Sequence, residues 1–115
     1  MNLARLSAII AFLAIAIGAF GAHAFEQLLE KNGKTDTFRT ATLYHLVHAV
    51  ALFALAWRRE NPPKGPWIAI AIGILLFSGS LYALSLTNIG VLGAITPLGG
   101  VSFLIGWLWL AIKPG

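Results

Sequence analysis

Four stretches of this chain, residues 6–25, 43–57, 67–86 and 90–112, contain no Asp, Glu, Lys or Arg. Crossing about 30 Å of hydrocarbon at about 1.5 Å per residue takes roughly 20 helical residues. The first, third and fourth runs are that long. The second holds 15 residues, and counting from Phe38, with Arg39 snorkelling to the interface, it reaches about 20. Lipid offers no hydrogen bonds, so spanning segments are helices or closed barrels. These runs are continuous rather than alternating, which predicts an all-α, polytopic membrane protein: one four-helix transmembrane bundle over 1–115, with spans at about 3–25, 38–57, 67–86 and 93–112.

Composition agrees. Apolar residues make up 58% of the chain and charged residues 10%, against about 25% charged in a soluble domain. A water-soluble globule and a disordered chain are both excluded. The net charge of +4 comes from scattered residues between the apolar runs, so no nucleic-acid surface is expected. The absence of Cys excludes thiol redox chemistry and Cys-ligated metals. Arg5, an apolar core and Ala22-His23-Ala24 also fit a secretory signal with a small-x-small cleavage site, but the run is long for a signal core and is read as a span.

With four crossings, both termini and the 58–66 loop share one side. That side holds Arg5, Arg58, Arg59, Lys64 and Lys113, and the other holds Lys31, Lys34 and Arg39. The bias predicts an inner-membrane protein with cytoplasmic termini. Trp57, Trp67, Trp107 and Trp109 fall at the inner ends of their helices, as interfacial anchors do. Residues 61–66, with three prolines, read as a non-helical inner turn. Glu26 to Asn32 reads as a short helical ledge stopped by Gly33, followed by Thr35 or Asp36 as the next N-cap.

Small residues permit close helix packing in lipid. Ala14, Gly18, Gly21 and Ala22 mark the first helix, Gly73, Gly79 and Ser80 the third, and Gly99, Gly100, Ser102 and Gly106 the fourth. They serve either the bundle or a dimer face, and the oligomeric state stays open. Ala-Ile-Ala-Ile-Gly recurs at 14–18 and 69–73, the pattern a duplicated hairpin leaves. Pro97 in Thr96-Pro97-Leu98-Gly99-Gly100 reads as a kink with Thr96 covering the freed carbonyl, as a helix start, or as a binding element.

Polar groups inside the spans are few. His23, Tyr44, His48, Ser78, Ser80, Tyr82 and Thr96 form a candidate polar pocket. His45 faces the headgroups or a neighbour. Three histidines at one depth raise metal, haem and proton-relay readings, against the reading in which each imidazole meets a backbone carbonyl. With no embedded carboxylate, no metal or cofactor is expected.

Five motifs are specific: Gly18-Ala19-Phe20-Gly21-Ala22-His23-Ala24; Phe38-x-x-Ala41-x-x-Tyr44-x-x-x-His48; Leu76-Phe77-Ser78-Gly79-Ser80-Leu81-Tyr82; Ile95-Thr96-Pro97-Leu98-Gly99-Gly100; and Gly106-Trp107. In this order they resemble the small inner-membrane proteins of the YgdD/YwdK type, a family defined by a domain of unknown function, with eukaryotic transmembrane relatives. The resemblance covers nearly the whole chain and implies a four-helix membrane protein of this length. It brings no activity, substrate or catalytic residue, and His45 is its one departure from the pattern.

The expected function is non-enzymatic binding of a lipid or another membrane protein. The alternative is a small-molecule or ion transporter using the histidine cluster. Small multidrug exporters have four helices and nearly this length, but as a class rely on an acidic residue within the first, which is missing here. An enzyme built on Ser78 or Ser80 with His48 would lack an acid to orient the imidazole.

Overall fold

The computed structural model describes residues 2–57 and 60–114, which hold helices and no strand. Five helices follow in order: α1 (Leu3–Ala24), α2 (Glu26–Asn32), α3 (Thr35–Ala56), α4 (Lys64–Thr87) and α5 (Gly90–Ile112). All but α2 are long and apolar enough to cross a membrane. The long axis of the protein is 47 Å, comparable with a bilayer including its headgroups. Phe12, Phe20, Leu75 and Leu104 are 69–75% exposed, a surface that acyl chains rather than water must cover.

Local chemistry sets the helix ends. Asn2 caps α1, its Oδ1 accepting from the amides of Ala4 at 2.9 Å and Arg5 at 3.2 Å. Gly33, with φ of 67°, ends α2 in a left-handed turn, and the Lys34 amide reaches back to the Leu29 carbonyl. That 6→1 bond identifies a Schellman stop. The next helix starts earlier than expected, at Thr35, so its N-cap is Lys34, which makes no side-chain capping bond. The turn expected over 61–66 is also shorter. Helix α4 begins at Lys64 and Pro66 lies in its first turn, where a missing N–H costs nothing because it would have no partner. The basic residues Arg58 and Arg59 lie outside the described residues. In α5 a 3₁₀ turn, Gly90–Ala94, precedes an α-helix that starts at Thr96 with Pro97 in its first turn. Of the three readings of this segment, the helix start describes the backbone.

Helix α1 packs chiefly on α3, α4 chiefly on α5, and α3 joins the two pairs by packing on α4. A Cβ built on Gly18 would lie 2.5 Å from Thr42 Cγ2, and one on Gly106 would lie 2.6 Å from Ile70 Cγ1. At Gly99 it would strike the backbone of Phe77, and at Gly73 the ring of Phe103. A Cβ on Gly21 would lie 3.3 Å from Phe38 Cζ. Gly79, expected in a packing stripe, has no atom within 4 Å of that position. Its lack of a side chain leaves open space instead of a crossing.

Two spans carry π-helical turns, Ile17–Gly21 in α1 and Ile74–Ser78 in α4. The first overlaps one copy of Ala-Ile-Ala-Ile-Gly and the second directly follows the other. Such turns insert a residue into the helical register and recur at functional sites.

Candidate functional site

The polar groups of the spans divide into three sets on different faces. In the first, His45 of α3 reaches α1 and α4 together. Its Nε2 lies 3.0 Å from the Ile10 carbonyl and its Nδ1 lies 2.9 Å from Tyr82 Oη. A carbonyl only accepts, so Nε2 carries the proton and the tyrosine hydroxyl donates to Nδ1. Tyr82 Oη is also 3.5 Å from Thr42 Oγ1, which donates to the Phe38 carbonyl at 3.2 Å.

In the second set, Trp107 of α5 donates its indole N–H to His48 Nε2 at 3.0 Å, and His48 Nδ1 lies 2.8 Å from the Tyr44 carbonyl. The indole only donates, so His48 is held as the Nδ1–H tautomer. Phe103 stacks on its ring with centroids 3.8 Å apart, and Tyr44 packs against Phe77 at 4.6 Å. In the third set, Ser80 and Thr96 join α4 to α5 through hydroxyls 2.6 Å apart. Thr96 therefore bonds across helices rather than covering the carbonyl freed by Pro97.

The expected single pocket is thus dispersed. Tyr44 and His48 face α5, Ser80 and Thr96 form their own bridge, and Tyr82 joins His45. His23 stands apart at the C-terminal end of α1, its side chain 89% exposed and 4.0 Å from Glu26. Among the described residues no three His, Asp or Glu side chains could hold a metal ion. Both nitrogens of His45 and of His48 are engaged by protein atoms, so neither presents a lone pair to a haem iron.

Ser78 is the exception. Among the described residues its Oγ is the one buried side-chain polar atom without a hydrogen-bond partner, and the residue is 0% exposed. It lines a groove of about 310 Å³ between α1 and α4. Near their N-terminal ends these helices are tied by Trp67 Nε1 donating to Ser7 Oγ at 3.0 Å. Ile10, Leu13 and Ile17 form one wall and Ile74, Leu75 and Gly79 the other, with His45, Ser78 and Tyr82 supplying the polar groups. Both π turns contribute to the walls.

A family described as a protein of unknown function (DUF423) matches residues 17–100. The chain belongs to this family. It is 43% identical over 113 residues to the UPF0382 membrane protein YwdK of Bacillus subtilis, covering 93% of this chain and 90% of the relative. A Haemophilus influenzae UPF0382 membrane protein is 40% identical over 92% of this chain and 87% of its own length. The UPF0382 inner membrane protein YgdD of Escherichia coli is 36% identical over 92% of this chain and 83% of its own. No solved structure matches. The family resemblance and the four-span helical architecture expected from the sequence both hold.

Sequence reasoning left His45 open, yet its ring hydrogen-bonds to both α1 and α4. A signal was present. Phe38, Ala41, His45, Ala49, Leu52 and Ala56 recur at spacings of three and four and are buried together. Trp67 and Trp107 also differ from expectation. Trp67 is 5% exposed, and both indole N–H groups bond inside the bundle, so neither tryptophan is simply an interfacial anchor.

Proposed function

We propose that this protein is a non-enzymatic membrane protein that holds a lipid-soluble molecule in the groove between α1 and α4. The observation that supports the reading is the unpartnered, fully buried hydroxyl of Ser78, one of the residues lining the groove. A buried polar group without a bond costs about 1–3 kcal/mol, a cost that a bound partner offsets. Nothing around it amounts to an active centre. Ser78 has no base within hydrogen-bonding distance, and no carboxylate lines the groove.

Gly79→Leu tests the reading, because a side chain at Gly79 enters open space beside Ser78. Native mass spectrometry of the gently extracted full chain should show a lipophilic adduct on the wild type and its loss from Gly79→Leu at unchanged helicity. Equal adducts on both proteins would remove the groove from consideration.

A second reading, proton-coupled transport, draws on the His45–Tyr82–Thr42 chain. Were His45 to gain a proton at Nδ1, the Tyr82 hydroxyl would rotate toward Thr42, and no other group need move. Tyr82 and the Ile10 carbonyl are the groups that meet His45, with no acid or base beside them. Proton flux in proteoliposomes that vanishes in Tyr82→Phe would favour this reading; flux unchanged by that substitution would remove it.

The basic residues support a topology with both termini cytoplasmic. The chain has no Cys, so single cysteines placed at Lys34 and Lys113 report sidedness directly. Labelling of Lys113→Cys by an impermeant maleimide in intact cells would reverse the orientation.

A further inference from the structure

We infer that the occupant of the α1–α4 groove is an uncharged lipid with a long hydrocarbon chain and one small hydroxyl or carbonyl head that lies within the hydrocarbon layer, the head hydrogen-bonding Ser78. The inference rests on the groove reading above and narrows it to a ligand class.

Depth carries the first part of the argument. Helix α4 ends at Thr87, nine residues beyond Ser78, which places Ser78 roughly 13 Å below the outer end of the helix at 1.5 Å per residue. A span of 24 residues is about 36 Å long against about 30 Å of hydrocarbon. It therefore projects a few ångströms at each end, and Ser78 lies on the order of 10 Å inside the apolar layer. A phospholipid whose phosphate stays at the interface cannot bring its head to that depth.

Charge carries the second part. No Lys, Arg, Asp or Glu lines the groove. An ionised head would enter hydrocarbon without a counter-ion, at a cost that membrane proteins meet only with a partner.

Hydrogen-bond capacity carries the third. His45 is satisfied at both nitrogens, and the Tyr82 proton is directed at His45 or Thr42. Ser78 retains both its O–H and its lone pairs, and Tyr82 retains an acceptor site. One carbonyl can accept from Ser78, and one hydroxyl can also donate. A head with several polar groups would leave the rest unpaired against Ile10, Leu13, Ile74 and Leu75. Beside Ser78, the open space at Gly79 gives the head room.

The test uses the full chain in detergent and native mass spectrometry, with farnesol, farnesylacetone (one hydroxyl and one ketone carbonyl respectively) and phosphatidylglycerol as separate probes, each against wild type, Ser78→Ala and Gly79→Leu. Farnesol, farnesylacetone or both should bind the wild type, five- to tenfold more weakly to Ser78→Ala and not detectably to Gly79→Leu. Phosphatidylglycerol retention should be the same in all three. Farnesol alone assigns a hydroxyl head, and farnesylacetone alone assigns a carbonyl. Ser78→Ala removes only a hydroxyl without a partner, so its folding provides no alternative explanation for weakened binding.

Several results would overturn the inference. If Ser78→Ala binds the uncharged probes as the wild type does, the hydroxyl is not their contact. If Gly79→Leu instead releases phosphatidylglycerol, the ligand class is wrong while the groove reading stands. If Gly79→Leu changes the retention of no probe, the groove reading falls and this inference with it.

Discussion

Gly99 and Gly100 are adjacent, both helical, and share one neighbour, yet alanine should have opposite effects at the two positions. A Cβ at Gly99 would meet the backbone nitrogen and Cα of Phe77, whereas one at Gly100 would meet only Phe77 Cδ2, at 3.9 Å. The first obstacle is main chain in a helix and cannot rotate away, so α5 must part from α4. Overpacking of this kind costs about 1–3 kcal/mol. The separation also strains two bonds between these helices, Ser80–Thr96 and Ser102 Oγ to the Ala69 carbonyl, both 2.6 Å. In membranes such bonds average about 0.6 kcal/mol each. Against this, replacing glycine in a helix recovers roughly 0.5–1 kcal/mol of backbone entropy. Gly99→Ala should therefore lose about 1–3 kcal/mol, and Gly100→Ala should be neutral or gain up to about 1 kcal/mol. Unfolding in mixed micelles by added dodecyl sulfate, followed by circular dichroism, measures both. Equal stability of the two variants would mean that α4 and α5 do not meet backbone to backbone at Gly99, and the packing described for this pair would be wrong.

Ser78→Ala should leave the ligand-free protein as stable as wild type or up to about 1 kcal/mol more stable, whereas Ser80→Ala, which breaks the bridge to Thr96, should destabilise it; the reverse order in the same unfolding assay would contradict the hydrogen-bond assignment. A double-mutant cycle of Trp67→Phe and Ser7→Ala should give a coupling of about 0.6–1.7 kcal/mol, and additive single effects would mean that the α1–α4 tie does not form. Nitrogen-15 spectra of histidine-labelled protein in bilayers should show His48 as the Nδ1–H tautomer and His45 as the Nε2–H tautomer; a His48 proton on Nε2 would place Trp107 elsewhere.

The spans were legible because lipid imposes one requirement, an unbroken apolar run, and four runs meet it without a charged residue. Helix ends were less legible. Pro66 reads as a breaker, but its cost depends on its place within the helix, and in the first turn that cost disappears. Tryptophan misled for a similar reason. An indole suits both an interface and a dry core with an acceptor, and only the fold brings Ser7 to Trp67 and His48 to Trp107. The candidate pocket grouped residues by depth along the membrane normal, which sequence gives well. It could not give the direction around each helix, because the π turns shift that direction partway through two spans. His45 and Ser78 were thereby separated from each other in sequence reasoning, though one groove holds both.

The π turn in α4 also accounts for the state of Ser78. Three other hydroxyls in the spans turn back on their own helix: Ser7 bonds the Leu3 carbonyl at 2.7 Å, Thr42 that of Phe38 at 3.2 Å, and Ser85 that of Leu81 at 2.7 Å. Each uses the carbonyl four residues earlier, the usual recourse of a hydroxyl in an apolar helix. For Ser78 that carbonyl belongs to Ile74, the first residue of the π turn, and it receives the Gly79 amide in an i→i+5 bond. The wider turn changes the placement of the Ile74 carbonyl from the one that Ser7, Thr42 and Ser85 use, and Ser78 Oγ is left without a partner. One inserted residue thus frees a hydroxyl, and Gly79 beside it keeps the adjoining space open. A helix selected only to cross the bilayer needs neither feature.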